Sequence, residues 1–167
     1  STVFIAFGAT IATYVGQNRG AGQMDRVRKG VYMTQGMILI CSFVLMAVIY
    51  LFGSYCIMIF VDPSETEVIQ AAQTYFVTVA WAYPFLGSIF LYRNALQGMG
   101  YGLVPMLGGV FELAARAGIV LWVAGKASFA GVCLSDPAAW VAALIPLVPY
   151  YFWVMKKQKD VGDCETH

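Results

Sequence analysis

GVYMTQGMILICSFVLMAVIYLFGSYCIMIFV, residues 30–61, carries no charged side chain. A helix rises about 1.5 Å per residue, so this run exceeds the roughly 20 apolar residues needed to cover a hydrocarbon core of about 30 Å. Two more uncharged runs, Val68 to Tyr92 and Pro137 to Met155, meet the same requirement. The fold class they predict is all-α, a polytopic transmembrane helix bundle whose main partner is the lipid bilayer.

The charges between these runs assign sides. The first gap holds Arg19, Arg26, Arg28 and Lys29, and the second holds Asp62, Glu65 and Glu67 with no base. Arg93 and Lys126 then stand alone, and Lys156, Lys157 and Lys159 close the series. Odd-numbered gaps thus hold eight bases and even-numbered gaps one. Short loops rich in Lys and Arg stay in the cytoplasm, which puts the 62–67 loop outside and the C-terminus inside.

With 60% hydrophobic and only 11% charged residues, the composition is far from that of a soluble domain. A net charge of +1, with bases confined to helix ends, argues against a nucleic-acid surface. Cys41 and Cys56 lie inside an apolar run, where a thiol is a small hydrophobe, while Cys133 is expected in a loop open to oxidation. Cys164 stands apart in the polar tail, as does His167, the lone histidine. No cluster of ligating side chains is spaced for a catalytic metal, and neither cofactor nor metal is expected. Ser1 runs straight into apolar residues with no charged region before them, so the chain reads as a fragment, with neither a signal peptide nor a natural start.

Five membrane-spanning helices are predicted, over about 1–16, 32–60, 66–92, 104–124 and 137–155, followed by a cytoplasmic tail, 156–167. Asp25 to Lys29 form a short amphipathic stretch between the first two. Asp62-Pro63 and Ser64-x-x-Glu67 signal the third start, the latter as a capping box, and Asp136-Pro137 caps the fifth span. Pro84 removes one backbone hydrogen bond and is expected to kink the third span near Ala80. Gly98, Gly100 and Gly102 lack the spacing and the preceding strand of a phosphate loop and read as a tight turn.

A charge at the centre of a bilayer helix costs about 2.5 to 3.5 kcal/mol on insertion scales, so Glu112 and Arg116 in the fourth span require an explanation. Four residues apart, they share a face and neutralise each other. This intramembrane pair either fixes helix register or lines a water-filled cavity. Arg93, Asn94 and Gln97 form a second polar group near the inner end of the third span, from which Arg93 can snorkel to the interface. Their amides, like Gln17 and Asn18 at the end of the first span, either join helices or contact a solute. The aromatics between Tyr75 and Tyr92 are read as packing or interfacial residues.

Gly16-Gln17-Asn18-Arg19-Gly20-Ala21-Gly22-Gln23-Met24-Asp25-Arg26-Val27-Arg28 closely resembles the GQ-x-x-GA-G-x-x-x-R-x-R stretch of MATE transporters, the multidrug and toxic compound extrusion family. Leu96-Gln97-Gly98-Met99-Gly100 is similar to the family's LQG-G turn. Pro105-x-x-Gly108-Gly109-x-x-Glu112-x-x-x-Arg116 is similar to its P-x-x-G-x-x-E-x-x-x-R helix. The resemblance implies twelve helices in two six-helix lobes, with residues 1–155 as helices of the C-terminal lobe and the N-terminal lobe missing. It further implies a secondary active, Na+ or H+ coupled efflux antiporter in the plasma (inner) membrane that exports small organic, often cationic, compounds. Onto Glu112 and Arg116 it carries a structural or gating role, and onto 17–29 a loop role. Some members hold an acidic residue in the span matching 68–92, and this chain has none; other coupling acids of the family lie in helices missing here, so the resemblance leaves the coupling ion open. The alternatives are a lipid-linked oligosaccharide flippase of the related superfamily and a non-transporting membrane subunit. No His-rich, Ser-His or paired-Asp constellation supports an intramembrane enzyme.

Overall fold

A computed structural model describes residues 2–59, 65–124 and 129–165. They form α1 (Thr2–Gly20), α2 (Met24–Met58), α3 (Thr66–Ala80), α4 (Tyr83–Gly98), α5 (Leu103–Ala124), α6 (Phe129–Cys133) and α7 (Ser135–Glu165), with no strand among the described residues. The chain is an all-α helix bundle. Asp62, Pro63, Ser64, Lys126 and His167 lie outside the described residues, and with them the capping box; the N-cap of α3 is Glu65.

By length and hydropathy, three helices among the described residues suffice to cross a membrane: α2, α5 and the stretch Gly131–Gln158 of α6 and α7. The bent pair α3 and α4 makes a fourth span when counted as one. The sequence-based count of five included α1, which falls short because Gln17, Asn18 and Arg19 occupy its last turn.

The long helices outrun their expected limits. α2 spans 35 residues, about 52 Å, and starts at Met24, so the amphipathic stretch 25–29 is its first turn and not a separate element. Nothing between Lys29 and Tyr32 breaks a helix, and the first-turn Asp25 favours the positive end of the helix dipole. α7 likewise runs through Met155 to Glu165, so the tail at 156–165 continues the last helix.

Between α3 and α4 the axis bends by 52°. The backbone turns at Trp81 and Ala82, and Pro84 lies in the first turn of α4, where its missing N–H is harmless. The N–H groups of Phe85 and Leu86 both bond the Ala82 carbonyl and restart the ladder.

α1, α2, α4 and α7 enclose the core, in which Phe4, Val15, Ile38, Leu91, Leu96, Met99, Leu147 and Tyr151 are almost wholly inaccessible. α1 and α4 approach very closely: a Cβ on Gly98 would stand 2.5 Å from the Ala12 carbonyl oxygen. Both helices end in the same way, with a glycine at positive φ, Gly22 at 71° and Gly100 at 80°. The N–H of Gln23 bonds the Asn18 carbonyl and that of Tyr101 the Leu96 carbonyl, which closes each helix with a Schellman turn. The glycines at 98–102 serve this turn. Large apolar side chains face outward elsewhere, among them Ile40, Leu51, Tyr55, Leu113, Leu121 and Trp122, an inverted distribution that suits lipid.

Candidate functional site

α5 is a strongly apolar helix, and the two charges it carries are held in a chain that reaches three other helices. Glu112 Oε1 accepts from Arg116 at 3.3 Å, one turn further along α5. Its other oxygen faces Arg93 of α4 at 3.6 Å. Arg116 turns its guanidinium to Asp136 in the first turn of α7 at 3.0 Å, and Asp136 accepts a hydrogen bond from the Tyr75 hydroxyl of α3 at 3.1 Å. The order is therefore Arg93, Glu112, Arg116, Asp136, Tyr75, with charges alternating and balanced. All four ionic side chains are partly screened, from 23% exposed at Glu112 to 41% at Arg116. The Nε atoms of Arg93 and Arg116 are buried without a hydrogen-bond partner.

Glu112 offers the charge of Arg93 a counter-ion 3.6 Å away on α5. One sequence-based expectation is corrected by this arrangement. Asp136 is not the cap of α7: the helix already begins at Ser135, and the carboxylate is drawn to Arg116 and Tyr75 while lying near the positive helix end. Cys133 is also not in an open loop; it ends α6 and is 3% exposed.

The amides lie elsewhere. Asn18 donates to the Tyr14 carbonyl at 2.8 Å and Asn94 to the Phe90 carbonyl at 2.8 Å, each within its own helix. Asn94 also abuts Gly8 of α1. Gln17 and Gln97 are exposed at the ends of α1 and α4, whose backbone carbonyls bond Ala21 and Gly100 in the two turns. Gln97 and Arg93 thus do not act together, although they are four residues apart. Sequence reasoning missed Asp136 and Tyr75 as partners, since only the fold brings α3 and α7 to α5. It also missed the bond from Gln35 of α2 to Ser88 of α4 at 3.0 Å, whose signal is a lone amide within the uncharged run 30–61.

At the opposite, base-rich end, the Arg19 guanidinium lies 5.3 Å over the Tyr101 ring, and Gln158 donates to the Tyr101 hydroxyl at 3.4 Å. The ends of α1 and α7 and the α4–α5 turn are thereby joined. Among the described residues, no group of three or more His, Cys, Asp or Glu side chains is placed to hold a metal ion.

The MatE family model matches residues 1–122. A relative from Bacillus subtilis (strain 168), described as "Probable multidrug resistance protein YoeA", is 23% identical over 158 residues. That match covers 93% of this chain and 34% of the relative, so the chain spans about a third of the length of the curated relative it matches. No solved structure matches it significantly.

Proposed function

Because the chain belongs to the MatE family, whose members are membrane transporters, we propose that it supplies C-terminal-lobe helices of a Na+ or H+ coupled efflux antiporter exporting organic, often cationic, compounds. The observation that carries this reading is the balanced charge chain across four helices, placed beside a span that is broken at Trp81 and Ala82. Broken helices and intramembrane charges are the usual materials of alternating access. Glu112 stands between two guanidiniums, so when α4 and α5 shift it can release Arg93 and stay paired with Arg116 on its own helix.

Likeness to a relative described as a probable multidrug resistance protein supports drug export. Two guanidiniums matched by two carboxylates favour a cationic or neutral solute over the phosphate of a lipid-linked oligosaccharide, which calls for excess positive charge. In this reading the bases place 156–167 in the cytoplasm and the protein in the plasma (inner) membrane. The coupling acid then comes from helices of the N-terminal lobe or the rest of its own, because 68–92 has none.

The test is whole-cell. The full-length protein is expressed in a strain lacking efflux pumps, and ethidium accumulation is followed with and without a Na+ gradient. Lowered accumulation is the expected result; unchanged accumulation in both conditions rejects drug export.

A further inference from the structure

At the base-rich end, a cavity of about 460 Å³ opens between the start of α2 and the last membrane turns of α7. Its walls are ordered in depth. Arg28 lies one turn nearer the start of α2 than Tyr32, and Lys156 one turn nearer the end of α7 than Phe152, so a basic rim surrounds an aromatic floor. Asp25 is the one carboxylate among the lining residues.

Tyr151 belongs to that floor. It is 1% exposed, and its hydroxyl is buried with no hydrogen-bond partner. Tyr151 lines the cavity beside Arg28 and Tyr32 of α2, and its ring packs 5.2 Å from that of Tyr92 on α4. A buried donor left unmatched costs about 1–3 kcal/mol, and such groups in native proteins normally answer to an acceptor.

Below the cavity the α2 wall stays apolar. Leu39 and Phe43, on the helical face of Tyr32, are exposed large hydrophobics. Two cations at the rim, an orphan donor at the floor and a greasy stripe running on along α2 match a phosphate that carries acyl chains better than one free in water.

We infer that this cavity seats the headgroup phosphate of an anionic phospholipid, with Arg28 and Lys156 on its charge, the Tyr151 hydroxyl donating to it, and the chains lying along α2. The inference rests on the membrane orientation proposed above only for which leaflet supplies the lipid, and not on drug export.

The experiment uses the purified full-length protein in a neutral detergent. Phosphatidylglycerol, phosphatidylcholine and inorganic phosphate are titrated separately and thermal unfolding is followed. Phosphatidylglycerol should raise the midpoint more than phosphatidylcholine, with no comparable rise from phosphate. The apparent affinity for phosphatidylglycerol should weaken on the order of tenfold or more in Arg28→Gln/Lys156→Gln, weaken less in Tyr151→Phe, and hold in Lys29→Gln, outside the cavity. An equal shift with phosphatidylcholine, an equal shift with phosphate alone, or an undiminished response in the double variant overturns the assignment. Since the readout is lipid binding, it can fail while ethidium export stands, and the reverse.

Discussion

Arg116 lies 3.0 Å from Asp136 on α7 and 3.3 Å from Glu112 on its own helix, so the shorter of its two ion pairs is the one between helices. α5 and α7 are thereby tied near the start of α7. Asp136→Asn should weaken this tie by about 1 kcal/mol, given the partial exposure of both groups. A double-mutant cycle with Arg116→Gln, read by thermal unfolding in detergent, should return a coupling of that order, and zero coupling contradicts the pair.

Glu112→Gln is expected to be the more damaging change, since Arg93 then loses its counter-charge altogether while Arg116 keeps only Asp136. Removing one partner of a buried pair costs about 3–5 kcal/mol, and the 23% exposure of Glu112 points to the lower end. Monodisperse yield on size exclusion should fall sharply for the full-length variant. Arg93→Gln combined with Glu112→Gln should recover part of the loss, because one orphaned cation is gone.

Gly98→Ala should destabilise by roughly 1–3 kcal/mol, because its methyl meets the Ala12 carbonyl and cannot displace backbone. Gly36→Ala, within α2 and with nothing within 4 Å, should instead gain about 0.5–1 kcal/mol from helix propensity. Opposite signs in the two midpoints check the close approach of α1 and α4.

Ser88→Ala and Gln35→Leu break the same hydrogen bond with different results. Ser88→Ala leaves the whole Gln35 amide unmatched, since its oxygen already lacks a partner, and should cost about 1 kcal/mol or more. Gln35→Leu removes that amide altogether and should be near neutral. Equal losses in the two unfolding midpoints argue against the bond.

Impermeant thiol labelling of cysteines placed at Lys29 and at Lys157, in a background free of native Cys, should mark both from the same side of the membrane. The structure already gathers Arg28 and Lys156 around one cavity. Labelling from opposite sides rejects the topology.

The helical bundle was legible because charge is a linear property: a gap without Asp, Glu, Lys or Arg shows in the sequence whatever the fold does with it. Helix ends were less so. The Arg26 to Lys29 bases read as an interface element, yet they continue α2, since nothing there breaks a helix. Of the charge chain, Glu112 and Arg116 were readable from their spacing of four. Arg93, 19 residues before Glu112, and Asp136, 20 after Arg116, were not, because their partners are set by how α4 and α7 lie against α5. The amides at 18 and 94 read as candidate bridges but donate within their own helices, an option that a linear pattern does not distinguish.

The interruption at Trp81 and Ala82 divides the bent pair of α3 and α4 into two mechanical parts. α4 is gripped by α1, α2 and α7, whereas α3 leans on α2 and α6 and touches the charge chain through the Tyr75 hydroxyl alone among the described residues. A swing of α3 about that joint would sever one hydrogen bond to Asp136 and leave all three ion pairs in place. α3 can therefore act as a lever while α4 stays a fixed strut.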